Sequence, residues 1–269
     1  MLRIKPQKGK VYLALNGIPI VYPTPIYQLL EEENIDSFRI IKRIIPKDTV
    51  LDFYDHYEGK IYKARLSAPI PSIVLMEGAT IWMSDTPYEF AGMINGITAA
   101  KGNVLVGGLG LGIFPYYITK FKKVKHIDIV EQNPEVVELV YSKVKSKKMN
   151  IIIDDFWHYI ENTVEKYDFI YLDIWGDQIR PLKEVDKVVE ATSKCLNTGG
   201  QLRYWMQELA ERIKSKLPTE PQESSGAGAY EPCLMCGKTV RHDYASLCMD
   251  CADILGVSEI YIKREEVEV

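Results

Sequence analysis

The 269-residue chain predicts an α/β protein built on a Rossmann-like doubly wound sheet, and three observations carry that reading. The first is Val104-Leu-Val-Gly107-Gly108-Leu-Gly110-Leu-Gly112, an apolar run that closes on glycines. The second is Ile127-Asp-Ile-Val-Glu131, another apolar run, ending in a carboxylate. The third is a regular strand–helix alternation from Val104 onward, which implies a parallel sheet with helices on both faces.

The glycine register narrows the ligand. Glycines let the backbone turn tightly and approach a ligand that a Cβ would strike. A dinucleotide fingerprint, G-x-G-x-x-G, would need glycine where Ile113 stands; the register here is G-x-G-x-G, from Gly108 to Gly112. No G-x-x-x-x-G-K-[ST] is present, which disfavours a nucleoside triphosphate. A ligand with a ribose and adenine but no pyrophosphate fits better. Glu131, at the end of the next strand, is placed to accept hydrogen bonds from both ribose hydroxyls.

Before the glycine run the pattern predicts an N-terminal β-rich subdomain over residues 1–79. Val11 to Leu15 and Ile18 to Tyr22 read as strands around the hairpin signal Asn16-Gly17. A short helix is expected from Ile26 to Glu33, with strands over Phe38 to Ile45 and Lys60 to Leu66, the latter two separated by a polar stretch from Asp52 to Gly59. This region carries no catalytic motif and is expected to pack on the main domain or cover its mouth. A second hairpin, Ser72 to Met76 and Thr80 to Met83 around Glu77-Gly78, leads into a helix starting near Pro87. Ser84 or Asp85 is its expected cap, since proline suits the first helical turn.

The main domain, residues 80–216, then alternates. Strands are expected at 104–106, 126–131, 150–153, 168–173 and 201–205, with helices near 112–121, after Pro134, and at 156–163, 183–196 and 206–216. Asn197-Thr-Gly-Gly200 reads as the turn before the fifth strand. Residues 217–232 have the composition of a flexible linker. Any strands beyond the fifth are therefore expected to be missing, truncating the sheet, or to be supplied by something else.

Composition bounds the rest. Apolar content of 46% and charged content of 26% describe an ordinary globular protein, and a net charge of −4 argues against a generally basic nucleic-acid binder. No apolar run approaches the ~20 residues that span a bilayer, and Met1-Leu-Arg-Ile-Lys-Pro lacks a signal-peptide core, so a cytoplasmic, membrane-free protein is expected. Four of the five cysteines cluster as Cys233-x2-Cys236-x11-Cys248-x2-Cys251, while Cys195 sits alone in an expected helix. Two C-x2-C knuckles complete a tetrahedral zinc site, saturated by protein and hence structural. Residues 233–269 thus read as a small zinc ribbon whose Zn2+ supplies most of its folding free energy. Lys238, Arg241, Lys263 and Arg264 oppose the acidic tail Glu265-Glu-Val-Glu268, leaving a protein or a nucleic acid as its partner, with protein favoured.

The glycine register and Glu131 resemble those of the class I S-adenosylmethionine (SAM)-dependent methyltransferases, particularly their spermidine-synthase-like branch. The resemblance covers roughly residues 80–205. It implies SAM as cofactor, held by Gly108, Gly110, Gly112 and Glu131, with an aspartate after the third strand on the adenine amino group. Asp155 is preferred for that role and Asp154 is the reserve. Asp173, after the fourth strand, would stand beside the methionine part of the cofactor and orient or deprotonate an acceptor amine. In spermidine synthases a second aspartate follows three residues later; here Asp177 follows four later, with Trp175 between. His126 and His158 are weaker base candidates. The resemblance implies methyl transfer to an acceptor it does not specify, in an unspecified oligomeric state. Aminopropyl transfer from decarboxylated SAM is the alternative, and a non-catalytic binding protein that keeps the fold is the third reading.

Overall fold

A computed structural model describes residues 5–7, 10–15, 18–55, 60–66, 68–175, 180–215, 230–232 and 239–241. At the N-terminus, β1 (Lys5–Gln7), β2 (Lys10–Leu15) and β3 (Ile18–Tyr22) form an antiparallel sheet with Leu15 opposite Ile18. The Asn16-Gly17 turn lies outside the described residues. Helix α1 (Pro25–Leu29) starts at Thr24, whose hydroxyl accepts the Tyr27 N–H at 3.0 Å. It is shorter than the expected 26–33 because Glu31 and Glu32 are drawn to Lys42, the first by its ammonium and the second by its backbone N–H. The chain instead extends into β4 (Glu33–Ile35), paired with β5 (Phe38–Ile45).

The expected polar stretch after Asp52 is also corrected. Val50, Leu51, Phe53 and Tyr54 have the β-branched or bulky side chains that suit a pleated strand, and β6 (Val50–Asp55) pairs fully with β7 (Lys60–Arg65). Strands β8 (Ile70–Glu77) and β9 (Thr80–Ser84) form the second hairpin, completing the four-stranded sheet β4-β5-β8-β9.

Helix α2 (Pro87–Ala99) is capped by neither expected residue. Thr86 holds the cap position, and Ser84 pairs with it through the two hydroxyls at 2.9 Å. Asp85 turns inward and is fully buried. Its carboxylate accepts the Thr24 hydroxyl at 2.6 Å and the Ile73 N–H at 2.8 Å, while its carbonyl accepts the Tyr22 hydroxyl at 2.6 Å. One residue thus ties β3, α1, β8 and the start of α2 together.

The central sheet contains β10 (Gly102–Gly107), β11 (Val124–Glu131), β12 (Met149–Ile153), β13 (Tyr167–Leu172) and β14 (Leu196–Tyr204). All pairings are parallel and the order is β12-β11-β10-β13-β14. Helices α3 (Ile113–Ile118), α4 (Pro134–Val136), α5 (Ser142–Val144), α6 (Phe156–Asn162) and α7 (Arg180–Ser193) connect the strands, and α8 (Gln207–Lys214) follows β14. A π turn over Val137–Tyr141 joins α4 to α5, so the helix expected after Pro134 is not a continuous α-helix. Alternate strand residues serve two cores. Val104, Val106, Ile127, Phe169 and Tyr171 pack on one face, while Leu105, Val130, Ile170 and Leu172 pack on the other.

Two expectations near β14 change. Residues Asn197 to Gly200 lie inside the strand; Gly199 has φ +77° and the register slips opposite Tyr167, so the extra length is absorbed as an irregularity. Cys195 lies after α7 and is buried. Among the described residues β14 is the sheet's edge. Tyr230–Pro232 and Thr239–Arg241 pair antiparallel, whereas the four clustered cysteines and residues 217–229 lie outside the described residues. None of the described helices is long and apolar enough to cross a membrane.

Strand order reverses between β10 and β13. In open α/β sheets, ligands bind in the crevice above the carboxyl ends of the strands at such a switch point.

Candidate active site

A cleft of about 280 Å³ opens at that crevice. The central sheet contributes Gly108, Gly110, Glu131, Asp155 and Asp173, and Glu184 comes from α7. The opposite wall is Phe38 of β5, Leu75 of β8, and Trp82 and Met83 of β9. The four-stranded sheet β4-β5-β8-β9 therefore supplies a wall of the cleft. Its lining aromatics carry no local motif, and only tertiary packing brings them there.

The glycines act first through packing. A Cβ on Gly108 would come within 2.4 Å of the Asp173 carbonyl, and one on Gly110 within 2.7 Å of the Met83 sulfur. Both have positive φ, +89° and +51°. Their bare backbones let the loop after β13 and strand β9 close on the glycine turn, which shapes the cleft. Gly112 is the N-cap of α3 at φ +72° and is not among the lining residues.

Glu131 is buried and holds the glycine turn from below. One carboxylate oxygen accepts the Leu109 N–H at 2.9 Å; the other accepts the Asn133 N–H at 2.9 Å and the Asn133 side-chain amide at 3.3 Å. A carboxylate offers about four lone-pair sites, so acceptor capacity remains toward the cleft. This suits a ribose diol.

The two aspartates after β12 part company. Asp155 is the N-cap of α6, accepting the N–H groups of Trp157 and His158 at 2.8 and 3.0 Å, and it lines the cleft. Asp154 is not among the lining residues and holds His158 at 2.9 Å. That partner raises the pKa of His158, a surface imidazole. His126 sits at the other end of the sheet, 3.0 Å from Asp128. Neither histidine lines the cleft.

Asp173 stands on the cleft floor. Its N–H donates to the Gly107 carbonyl at 2.9 Å, fixing the chain as it leaves β13. Among the described residues no hydrogen bond reaches its carboxylate, and desolvation alone pushes its pKa up to about 7. Asp177 lies outside the described residues. Trp175 folds back into the core, donating its indole N–H to Glu184 at 2.8 Å and packing edge-on to Tyr204.

Glu89, in the first turn of α2, is a residue that sequence reasoning passed over. Burial, reinforced by the charge of Asp173, pushes its pKa up to about 8. The available signal was its isolation: it is the single charged residue of a 13-residue, mostly apolar helix.

All ionisable lining side chains are acidic: Glu131, Asp155, Asp173 and Glu184. No Lys, Arg or His lines the cleft among the described residues. The electrostatic field therefore favours a cationic ligand. Among the described residues no cluster of His, Cys, Asp and Glu suits a metal ion.

No family model matches the chain. A polyamine aminopropyltransferase of Methanocaldococcus jannaschii is 33% identical over 107 residues, a stretch covering 36% of this chain and 36% of the relative. The match thus spans about a third of the length of that curated relative. Spermidine synthase from Thermotoga maritima superimposes with a TM-score of 0.42 at 14% identity, over 64% of this chain and 72% of that one. Human methyltransferase-like protein 13, in complex with SAH, gives 0.32 at 22% identity, over 39% and 55% of the two chains.

Proposed function

We propose that the chain is a transferase that moves an alkyl group from an adenosyl sulfonium donor to an amine acceptor. The observation that carries this reading is Asp173, a carboxylate with no hydrogen-bond partner among the described residues, desolvated on the floor of an all-acidic cleft. Glu131 would take the ribose hydroxyls and Asp155 the adenine edge. The donor supplies a sulfonium leaving group, so the protein's main task is to hold the nucleophile and the electrophilic carbon in line. The amine lone pair forms the new C–N bond, and the C–S electron pair leaves on sulfur as a neutral thioether. Asp173 takes the proton from the alkylated nitrogen.

SAM and its decarboxylated form differ by one α-carboxylate, and the cleft favours the form without it. Among the described residues no cation lines the cleft to pair with that group. The Leu111 N–H, a backbone donor of the glycine turn, is covered by the Met83 sulfur at 3.2 Å. Aminopropyl transfer is therefore preferred to the methyl transfer that the glycine motif suggested, in line with the name of the curated relative. Calorimetry with both donors tests this. Tighter binding of decarboxylated SAM supports aminopropyl transfer and a preference for SAM restores methyl transfer. Binding of neither would leave a non-catalytic protein that retains the fold.

For the C-terminal segment we propose a structural zinc ion held by Cys233, Cys236, Cys248 and Cys251, in a module that docks on a protein or nucleic-acid partner. Metal analysis of protein never exposed to chelator should give about one zinc per chain, and substantially less would rule the site out.

A further inference from the structure

Charge is unevenly placed along the chain. The net charge is −4, yet residues 90–127 and 139–153 hold lysines and no Asp or Glu. The fold gathers those lysines at one end of the central sheet. Lys101 leads into β10, Lys122 and Lys125 flank the start of β11, and Lys145 and Lys147 lead into β12. The three strands are neighbours, with Gly102 opposite Val124 and Ile127 opposite Met149, so their entries stand side by side across about 10 Å. The cleft lies at the other end of the same strands, about 20 Å away. These five lysines are exposed, and none is held by a hydrogen bond or ion pair among the described residues. Asp168 lies in the field of Lys101 and Lys125, but its carboxylate is engaged, accepting the Asn103 N–H at 2.8 Å and the Asn197 amide at 2.9 Å. Two further lysines hold the platform rigid. Lys148 donates to the Thr119 and Phe121 carbonyls at 3.0 and 2.9 Å, and Lys123 donates to the Thr98 carbonyl. The ends of α2 and α3 and the entry to β12 are thereby tied together.

We propose that this end of the sheet binds a nucleic-acid duplex through its phosphates. A row of separate, unpaired cations suits a repeating polyanion, and duplex DNA presents one charge per about 1.7 Å of its axis. Lysine is a point charge without a planar fork, and no arginine stands among residues 66–179, so the surface fits the phosphate backbone and lacks the side chain that most often reads base edges. Proteins that hold single strands stack the bases on aromatic rings. Here Phe121 packs against the core and Tyr116 lies under the Lys120 ammonium at 4.1 Å, so neither ring offers a stacking platform. A face that lies on a membrane turns apolar side chains outward between its lysines. Val124 and Val144, which alternate with the lysines in the chain, are buried. The inference is independent of the proposed function, because the surface and the cleft share no residue.

Fluorescence anisotropy of the full chain with labelled RNA and DNA duplexes of about 20 base pairs, titrated between about 50 and 200 mM salt, reads the contact. Both duplexes should bind, with a logarithmic salt slope of about −4. A variant combining Lys122→Gln, Lys125→Gln, Lys145→Gln and Lys147→Gln should lose most of that slope and bind at least about tenfold more weakly at the lower salt. Lys122→Gln alone should flatten the slope by about 1, so the test does not depend on the fourfold variant folding well. Four results would overturn the proposal: no binding of either duplex at the lower salt, binding and slope undiminished in the variants, tighter binding of a single strand of the same length, or binding of phosphatidylserine vesicles in place of duplex.

Discussion

Asp85 and Asp173 are both desolvated carboxylates whose pKa is raised by burial, yet their surroundings assign them opposite roles. Asp85 is met by a hydroxyl and a backbone N–H on its carboxylate and by a tyrosine on its carbonyl. Its bonding capacity is used in joining the N-terminal sheet to α2. Asp173 has its backbone fixed to β10 while, among the described residues, its carboxylate is left without a partner and facing a cleft. A buried polar group is costly unless it is satisfied. The satisfied carboxylate holds the fold, and the unsatisfied one is where a ligand can recover the cost.

The sharpest way to break this contrast is to replace each residue. Asp173→Asn should leave the fold intact and lower group transfer by about 10²- to 10⁴-fold, the usual weight of a positioned acid–base group. A steady-state assay beside a thermal melt checks both halves. Asp85→Ala should do the reverse. It strands the Ile73 N–H and the Thr24 hydroxyl in the interior, at about 1–3 kcal/mol for each unsatisfied group, and denaturant unfolding would show the loss. Donor affinity measured on the folded fraction should change little.

Glu131→Ala should weaken donor binding by about tenfold or more, because charge-assisted hydrogen bonds are worth about 1.5–3 kcal/mol and the glycine turn also loses its Leu109 anchor. Unchanged affinity in calorimetry would show that the ribose lies elsewhere. The smallest effect concerns pH. Asp173 and Glu89 rise on folding from ordinary values of 3.8 and 4.5 to about 7 and 8, so over that window the folded chain binds more protons than the unfolded one. Stability from this pair is present in acid and is lost as pH climbs through 7 and 8. The melting temperature of wild type should fall over that range more steeply than that of the Glu89→Gln, Asp173→Asn double variant.

The sequence already marked the residues that sit at strand ends. Glu131, Asp155 and Asp173 follow apolar runs whose parallel pairing places all three at one end of the sheet, so one-dimensional order maps directly onto the crevice. The preference for Asp155 over Asp154 came from the resemblance alone; in the fold Asp155 caps α6 and lines the cleft, and Asp154 is not among the lining residues. What escaped was whatever depends on packing between distant segments. Phe38, Trp82 and Met83 reach the cleft because an N-terminal sheet folds over it. Asp85 looked like a cap until a tertiary network claimed it. Gly108 and Gly110 were read as room for a ligand, and they first make room for Asp173 and Met83. Glu89 is the one charge on its helix, a signal the sequence reading passed over, and burial together with the charge of Asp173 raises its pKa.

The measurement that bears most directly on the central claim follows a labelled alkyl group from SAM, and in parallel from decarboxylated SAM, onto a panel of alkyl amines. The chain and its Asp173→Asn variant are compared from pH 6 to 9. Transfer to an amine that rises with pH through about 7 and collapses in the variant is the expected result. Donor binding without transfer to any amine, or transfer that survives in Asp173→Asn, would contradict the account.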